Sequence, residues 1–170
     1  MEKFHNPNKP PEEMKYYTCE EFKQFLSVID DIKWKSLFEV LFFCGLHRGK
    51  LRGLTWDNID FFNKELSVVK NVVQKGDGGI YHITTPKTRT STRTLPVPER
   101  VIKNLQKLFE QEKKQYGFSL KWFVFGDKGP LSAHILRHNK NKFTEEACVK
   151  QIRIHDFRYS CTSVLIVSWL

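Results

Sequence analysis

Near the end of this 170-residue chain, His155-Asp156-Phe157-Arg158 sets an imidazole and a guanidinium three residues apart at the start of an apolar run. On a helix that spacing puts both on one side of the first turn. Two such donors can grip an anion, and phosphate suits the guanidinium fork. The same residues would also serve as a surface ion pair beside an ordinary helix-start histidine. Two further clusters share this character. One is Gly45-Leu46-His47-Arg48-Gly49-Lys50-Leu51, and the other is the turn from Pro86 through Lys87, Arg89 and Ser91 to Arg93. Each supplies cations or donors rather than carboxylates, and each lies at the end of a regular element, where side chains can converge. A set of this kind suits electrostatic stabilisation of a phosphoryl transition state without a metal.

Other pairings are weaker. His134 and His138 are spaced i, i+4, but Ile135 stands where a zinc-protease helix carries glutamate, and no third ligand is evident. No metal site is expected. Asp57 and Asp60 could form a carboxylate pair, although solvated acids at a strand entry explain them more simply. Lys113-Lys114 reads as an exposed helix face.

The elements that must position these residues follow from periodicity and punctuation. Residues 1–17 are polar, with Pro7, Pro10 and Pro11, and read as a linker. Thr18-Cys19-Glu20-Glu21 is a capping box, and Phe22, Phe25, Leu26 and Ile29 give a helix running to about Asp31. A buried helix covers Trp34 to Cys44 and breaks at Gly45. A short helix spans His47 to Leu54. Strand-like stretches follow: Ile59–Phe62 and Leu66–Val73 as a hairpin, Ile80–Thr85, and Thr94–Val97 pairing back. Pro98 opens a helix that buries Val101, Leu105, Leu108 and Phe109 and ends near Gly117. Ser132 caps a helix to about Asn139, which Lys140-Asn141-Lys142 interrupts before another from Thr144 to Lys150. A last helix starts near Asp156. The expected fold class is α+β and mainly helical, with one small antiparallel sheet.

Lys and Arg total 28 against 19 Asp and Glu, a net charge of +9. That balance favours polyanionic partners, nucleic acid or an anionic membrane surface. Fourteen phenylalanines and four tryptophans can fill a core without disulfides. Cysteines 19, 44, 148 and 161 form no C-x-x-C pair and read as reduced core thiols of a cytosolic protein. The N-terminus lacks a signal-peptide core, and the apolar run Leu37–Leu46 is too short to span a bilayer.

From Tyr17 onward the chain resembles the tyrosine recombinase, or phage integrase, family. Gly45-Leu46-His47-Arg48-Gly49-Lys50-Leu51, with Trp56-Asp57-Asn58-Ile59-Asp60 after it, is similar to the family's G-L-R-x-G-E-L and W-x-D-I-D. Pro86-Lys87-Thr88, Ser91 and Arg93-Thr94-Leu95-Pro96 resemble its β-hairpin lysine motif, and His155-Asp156-Phe157-Arg158-Tyr159-Ser160 resembles its H-x-L-R-H-[ST]. The resemblance implies an integrase-type catalytic domain in which a tyrosine attacks a DNA phosphodiester to give a 3′-phosphotyrosine and a free 5′-hydroxyl. It implies that two arginines clamp the non-bridging oxygens, that Lys87 protonates the leaving 5′-oxygen, and that His155 assists. Arg158 is then the second clamp arginine, and Arg48, Arg89 and Arg93 are expected to contact DNA.

Three departures accompany the matches. His47 stands in the first arginine's slot, Lys50 replaces the glutamate, and Tyr159 replaces the histidine after Arg158. Arg48, one residue on, would point about 100° away on a helix of ~3.6 residues per turn. No tyrosine follows Arg158 except Tyr159, whereas the family's nucleophile comes from a separate downstream element. The expectation is therefore residues 1–17 as linker and 18–170 as a catalytic domain that stops before the nucleophile segment. This would be a DNA-binding fragment of a site-specific recombinase, inactive in strand exchange by itself. The alternative is a non-catalytic DNA-binding or protein-interaction module. Duplex DNA is the expected partner, with an oligomer on DNA admissible, and no cofactor, membrane or small-molecule substrate is expected. The expected location is the cytoplasm.

Overall fold

Thr18 begins the folded order by capping the first helix in both directions. Its Oγ1 accepts from the Glu21 N–H at 3.2 Å, and Glu21 Oε2 accepts from the Thr18 N–H at 2.8 Å. In this computed structural model, which describes residues 15–74, 80–85 and 93–160, α1 covers Cys19–Ser27 and buries Phe22, Phe25 and Leu26. It stops short of Asp31 because that carboxylate serves the next helix: Asp31 accepts from the Lys33 and Trp34 N–H groups as the N-cap of α2, Ile32–Cys44. Helix α2 is buried on every side from Ser36 to Phe42, and Gly45 ends it at φ 58°, a left-handed cap that favours glycine.

Helix α3 is only Arg48–Arg52, shorter than the sequence suggests. A 3-10 turn at Trp56–Asn58 leads into β1, Ile59–Asp60, which pairs antiparallel with β2, Glu65–Val68. The expected strand Leu66–Val73 divides at Val69-Lys70, so that β3, Asn71–Gln74, joins a different sheet. Close packing explains the break. A Cβ on Gly53 would lie 2.6 Å from the Lys70 carbonyl oxygen, and one on Gly49 would lie 2.7 Å from that of Val72. Strand β3 thus presses its backbone onto the glycine face of α3. Its own partner is β4, Tyr81–Thr84, in the register Val72↔Ile83. Strand β2 pairs on its other side with β5, Arg93–Pro96, from Glu65↔Pro96 to Val68↔Arg93.

Pro98 precedes α4, Glu99–Glu112, whose face of Val101, Ile102, Leu105 and Leu108 packs on α2. There the fully buried Glu39 meets Asn104 Nδ2 at 2.7 Å and Arg100 Nη2 at 2.9 Å. Helix α5, Ala133–Glu146, is continuous, where the sequence suggests two helices. Lys140 does not interrupt it, because its side chain turns inward and finds acceptors there. The centre of the molecule is aromatic: Tyr17, Phe22, Phe25, Phe38, Phe42 and Phe157 are buried in ring contacts at 3.8 to 6.4 Å.

Two sequence expectations are corrected here. Tyr17, read as linker, is fully buried and packs edge-on against Phe157. Cys19 and Cys148 are exposed, and Cys44 is only half-buried against the core, so none of these three is a buried core thiol. Cys161 lies outside the described residues. Among those residues, no helix is long and apolar enough to cross a membrane.

Candidate functional site

His47 follows the left-handed turn at Gly45 and is the N-cap of α3, with an extended backbone at φ −67° and ψ 147°. His155 belongs to a 3-10 turn, Ile154–Asp156, and Arg158 stands in the helical residues 157–160 directly after it. Though separated by 111 positions, Arg158 Nη1 donates to His47 Nε2. The His47 and His155 rings lie 5.2 Å apart at 27°, and the Tyr159 ring meets His155 edge-on at 5.7 Å. The fold therefore brings His47, His155 and Arg158 into one cluster.

The protonation state follows from the donor. An arginine can only donate, so His47 Nε2 accepts and the imidazole is neutral. Its pKa is held below the ordinary histidine value by burial first, then by the positive charges of Arg158, His155 and Lys50. The inverted charge at Lys50 is thus felt at His47.

Three anchors hold the segment that carries His155 and Arg158. Phe157 is locked in the aromatic core. The Tyr17 N–H donates to Ser160 Oγ at 3.0 Å. Asp156 accepts from the Arg153 N–H at 2.8 Å and from its guanidinium at 3.0 Å. Burial pushes the Asp156 carboxyl upward, but these hydrogen bonds outweigh it and leave the pKa below the usual carboxylate value.

A cleft of about 860 Å³ opens beside the cluster, and its lining includes Lys15, His47, Arg48, Arg137, Lys140 and His155. Arg48 borders it from the first position of α3. Because His47 precedes the helix, the helical angle between positions 47 and 48 does not apply as the sequence suggests. Arg93 is exposed at the start of β5, opposite Val68. Lys87 and Arg89 lie outside the described residues. Asp57 and Asp60 do not share a site: Asp57 accepts from Thr55 Oγ1, and Asp60 accepts from the Asn63 N–H at 2.9 Å. His134 and His138 have near-parallel rings 6.4 Å apart, and among the described residues no group of three potential ligands could hold a metal.

The residue that sequence reading missed is Lys140. The signal was present, since Leu136, Lys140, Phe143 and Thr144 share one helix face and all are buried. A lysine on that face must bring its own acceptors.

The pattern described as the phage integrase family matches residues 15–168. The chain belongs to that family. It is 31% identical over 161 residues to the ICEBs1 integrase of Bacillus subtilis (strain 168), covering 90% of this chain and 43% of that protein. A tyrosine recombinase XerC-like protein of Caldanaerobacter subterraneus subsp. tengcongensis is 32% identical over 120 residues, 64% of this chain and 31% of its own length. The chain therefore spans less than half of either curated relative. Among solved integrase-family structures, the Tn1549 transposon integrase in complex with transposon right end DNA superposes with a TM-score of 0.73 at 26% identity. That match covers 96% of this chain and 56% of the other. The integrase-type catalytic fold, mainly helical with small antiparallel sheets, is the one described above.

Proposed function

We propose that this chain is the DNA-binding catalytic-domain portion of a site-specific tyrosine recombinase, and that the cluster of His47, His155 and Arg158 holds a backbone phosphate of duplex DNA. The observation that carries the reading is the convergence of these three residues at the edge of a basic cleft. Arg158 presents a planar fork of donors suited to the non-bridging oxygens. The neutral His47 accepts from Nη1 and orients that fork, and His155 supports proton transfer. In the full reaction a tyrosine oxygen bonds to phosphorus, the P–O5′ bond breaks, and Lys87 delivers the proton to the departing 5′-oxygen. No ATP is consumed, because the phosphotyrosine link conserves the bond.

The reading gives none of the five tyrosines in this sequence the attacking role. Tyr17 is buried against Thr144, and Tyr159 packs on the ring of His155. These 170 residues are thus assigned phosphate holding without covalent cleavage. Histidine in place of the first clamp arginine weakens the oxyanion site, by about 2.7–4 kcal/mol if the donor is lost outright. The same reading places the protein in the cytoplasm and admits more than one copy on the DNA. The partner class is supported by the Tn1549 transposon integrase, whose structure contains transposon right end DNA.

Fluorescence anisotropy with a labelled duplex at ~50 mM salt tests this. Wild type is expected to bind, and Arg158→Ala to weaken binding at least tenfold, as for a charged hydrogen bond of about 1.5–3 kcal/mol. Equal affinity for both proteins would contradict the assignment.

A further inference from the structure

We infer that Lys140 is a positioning residue for His155, a role that rests on the phosphate-holding reading above. Lys140 lies in the middle of α5 with only 4% of its surface exposed. Its ammonium donates to the Ile152 carbonyl at 2.7 Å and to Gln151 Oε1 at 2.9 Å. Ile152 is itself buried, and three residues later the chain presents His155 to the cleft. Between them the backbone is closed on itself, with Arg153 N–H on Asp156 Oδ2 at 2.8 Å and Asp156 N–H on the Arg153 carbonyl at 3.0 Å. Fixing Ile152 therefore fixes where this small closed turn, and His155 within it, stands.

Separate contacts hold the far side. The Lys140 carbonyl accepts from Thr144 Oγ1 at 2.7 Å, and Thr144 Oγ1 lies 3.3 Å from the Tyr17 hydroxyl. The Tyr17 N–H, in turn, holds Ser160. Buried polar contacts thus grip the segment on both sides, and the Lys140 ammonium acts on the side before His155. Packing alone does not require a lysine here. Its face is shared with Leu136 and Phe143, and an apolar residue would fill the position without an ammonium's desolvation cost. Burial accordingly pushes the Lys140 pKa down. What the ammonium adds is directional: two donors aimed at the segment leading to His155.

The test follows the His155 ring by NMR in the 170-residue chain without DNA, its signal assigned by loss in His155→Gln. Lys140→Met keeps the length and removes the donors, while Lys140→Gln restores one. Lys140→Met is expected to shift the His155 signal and weaken duplex binding about tenfold, with Lys140→Gln between it and wild type. A purely structural lysine would lower the melting temperature and leave the His155 signal in place. A wild-type signal in folded Lys140→Met overturns the inference, and so does wild-type affinity in a chain that binds duplex. Should Lys140→Met not fold, Lys140→Gln takes its place, since its shorter side chain disturbs the bond to the Ile152 carbonyl, and an unmoved His155 signal there overturns the inference equally. Failure of the wild-type chain to bind any duplex would defeat the recombinase reading, yet the ring signal would still report on Lys140.

Discussion

His47 turns a single proton into a change of sign. While its imidazole is neutral, Nε2 accepts from Arg158; once protonated, two cations face each other with His155 alongside. Its folded pKa lies below the ordinary 6.5, chiefly through burial and then through Arg158. Between the lowered value and 6.5 the unfolded chain binds more protons, so stability rises with pH across that window. The contribution of His47 is fully present above about 6.5 and lost as pH falls through the folded value. His47→Gln keeps an acceptor and removes the titration. Thermal melts of the two proteins between about pH 7.5 and pH 5 should diverge, wild type losing stability faster on acidification. Parallel curves would show that His47 does not titrate in this contact. An arginine in this slot, the family's choice, would be charged at every such pH.

At the level of elements, the glycines of α3 decide whether the site can assemble. The Gly53 Cα faces the Lys70 carbonyl so closely that a methyl group would sit 2.6 Å from oxygen and 2.9 Å from carbon, both backbone atoms. Gly53→Ala should therefore cost about 1–3 kcal/mol, the usual range for overpacking, read as a lower urea midpoint with unchanged slope. It should also loosen α3, whose N-cap is His47. An unaltered midpoint would mean that β3 can move away freely. Much of this level was legible beforehand. The capping box at Thr18, the break at Gly45 and the apolar faces of α2 and α4 are local signals, and they stand where the sequence puts them. The misses had tertiary causes. Lys140 and Asn141 resemble a helix interruption until Ile152 supplies an acceptor, and the run from Leu66 to Val73 reads as one strand until Lys70 packs against the bare Gly53 at the break. At the site, residue types and motif order were legible. The neutral, accepting state of His47 was not, because it depends on a contact across 111 positions.

For the whole molecule, the excess of nine positive charges is a field, and what it does depends on where the charges sit. Several are spent within the fold: Arg52 on Leu131 and Gln74, Lys140 on Ile152, Lys33 on Gly126. Lys113 pairs with Glu110 and lies over Phe109, and it takes no part in lining the cleft. Arg158, at the His47–His155 cluster, and Arg93, exposed on β5, are among the cations expected to meet phosphate. Counterion release then separates the two groups. For duplex DNA, log K falls against log salt with a slope near −0.9 per neutralised phosphate. Arg158→Ala and Arg93→Ala should each make that slope shallower by about one, whereas Lys113→Ala should leave it unchanged although it removes the same formal charge. Four titrations, of wild type and the three variants, from about 50 to 200 mM salt decide the matter. If all three variants changed the slope equally, binding would follow net charge alone. If only Lys113→Ala changed it, the DNA would lie against α4, away from the basic cleft.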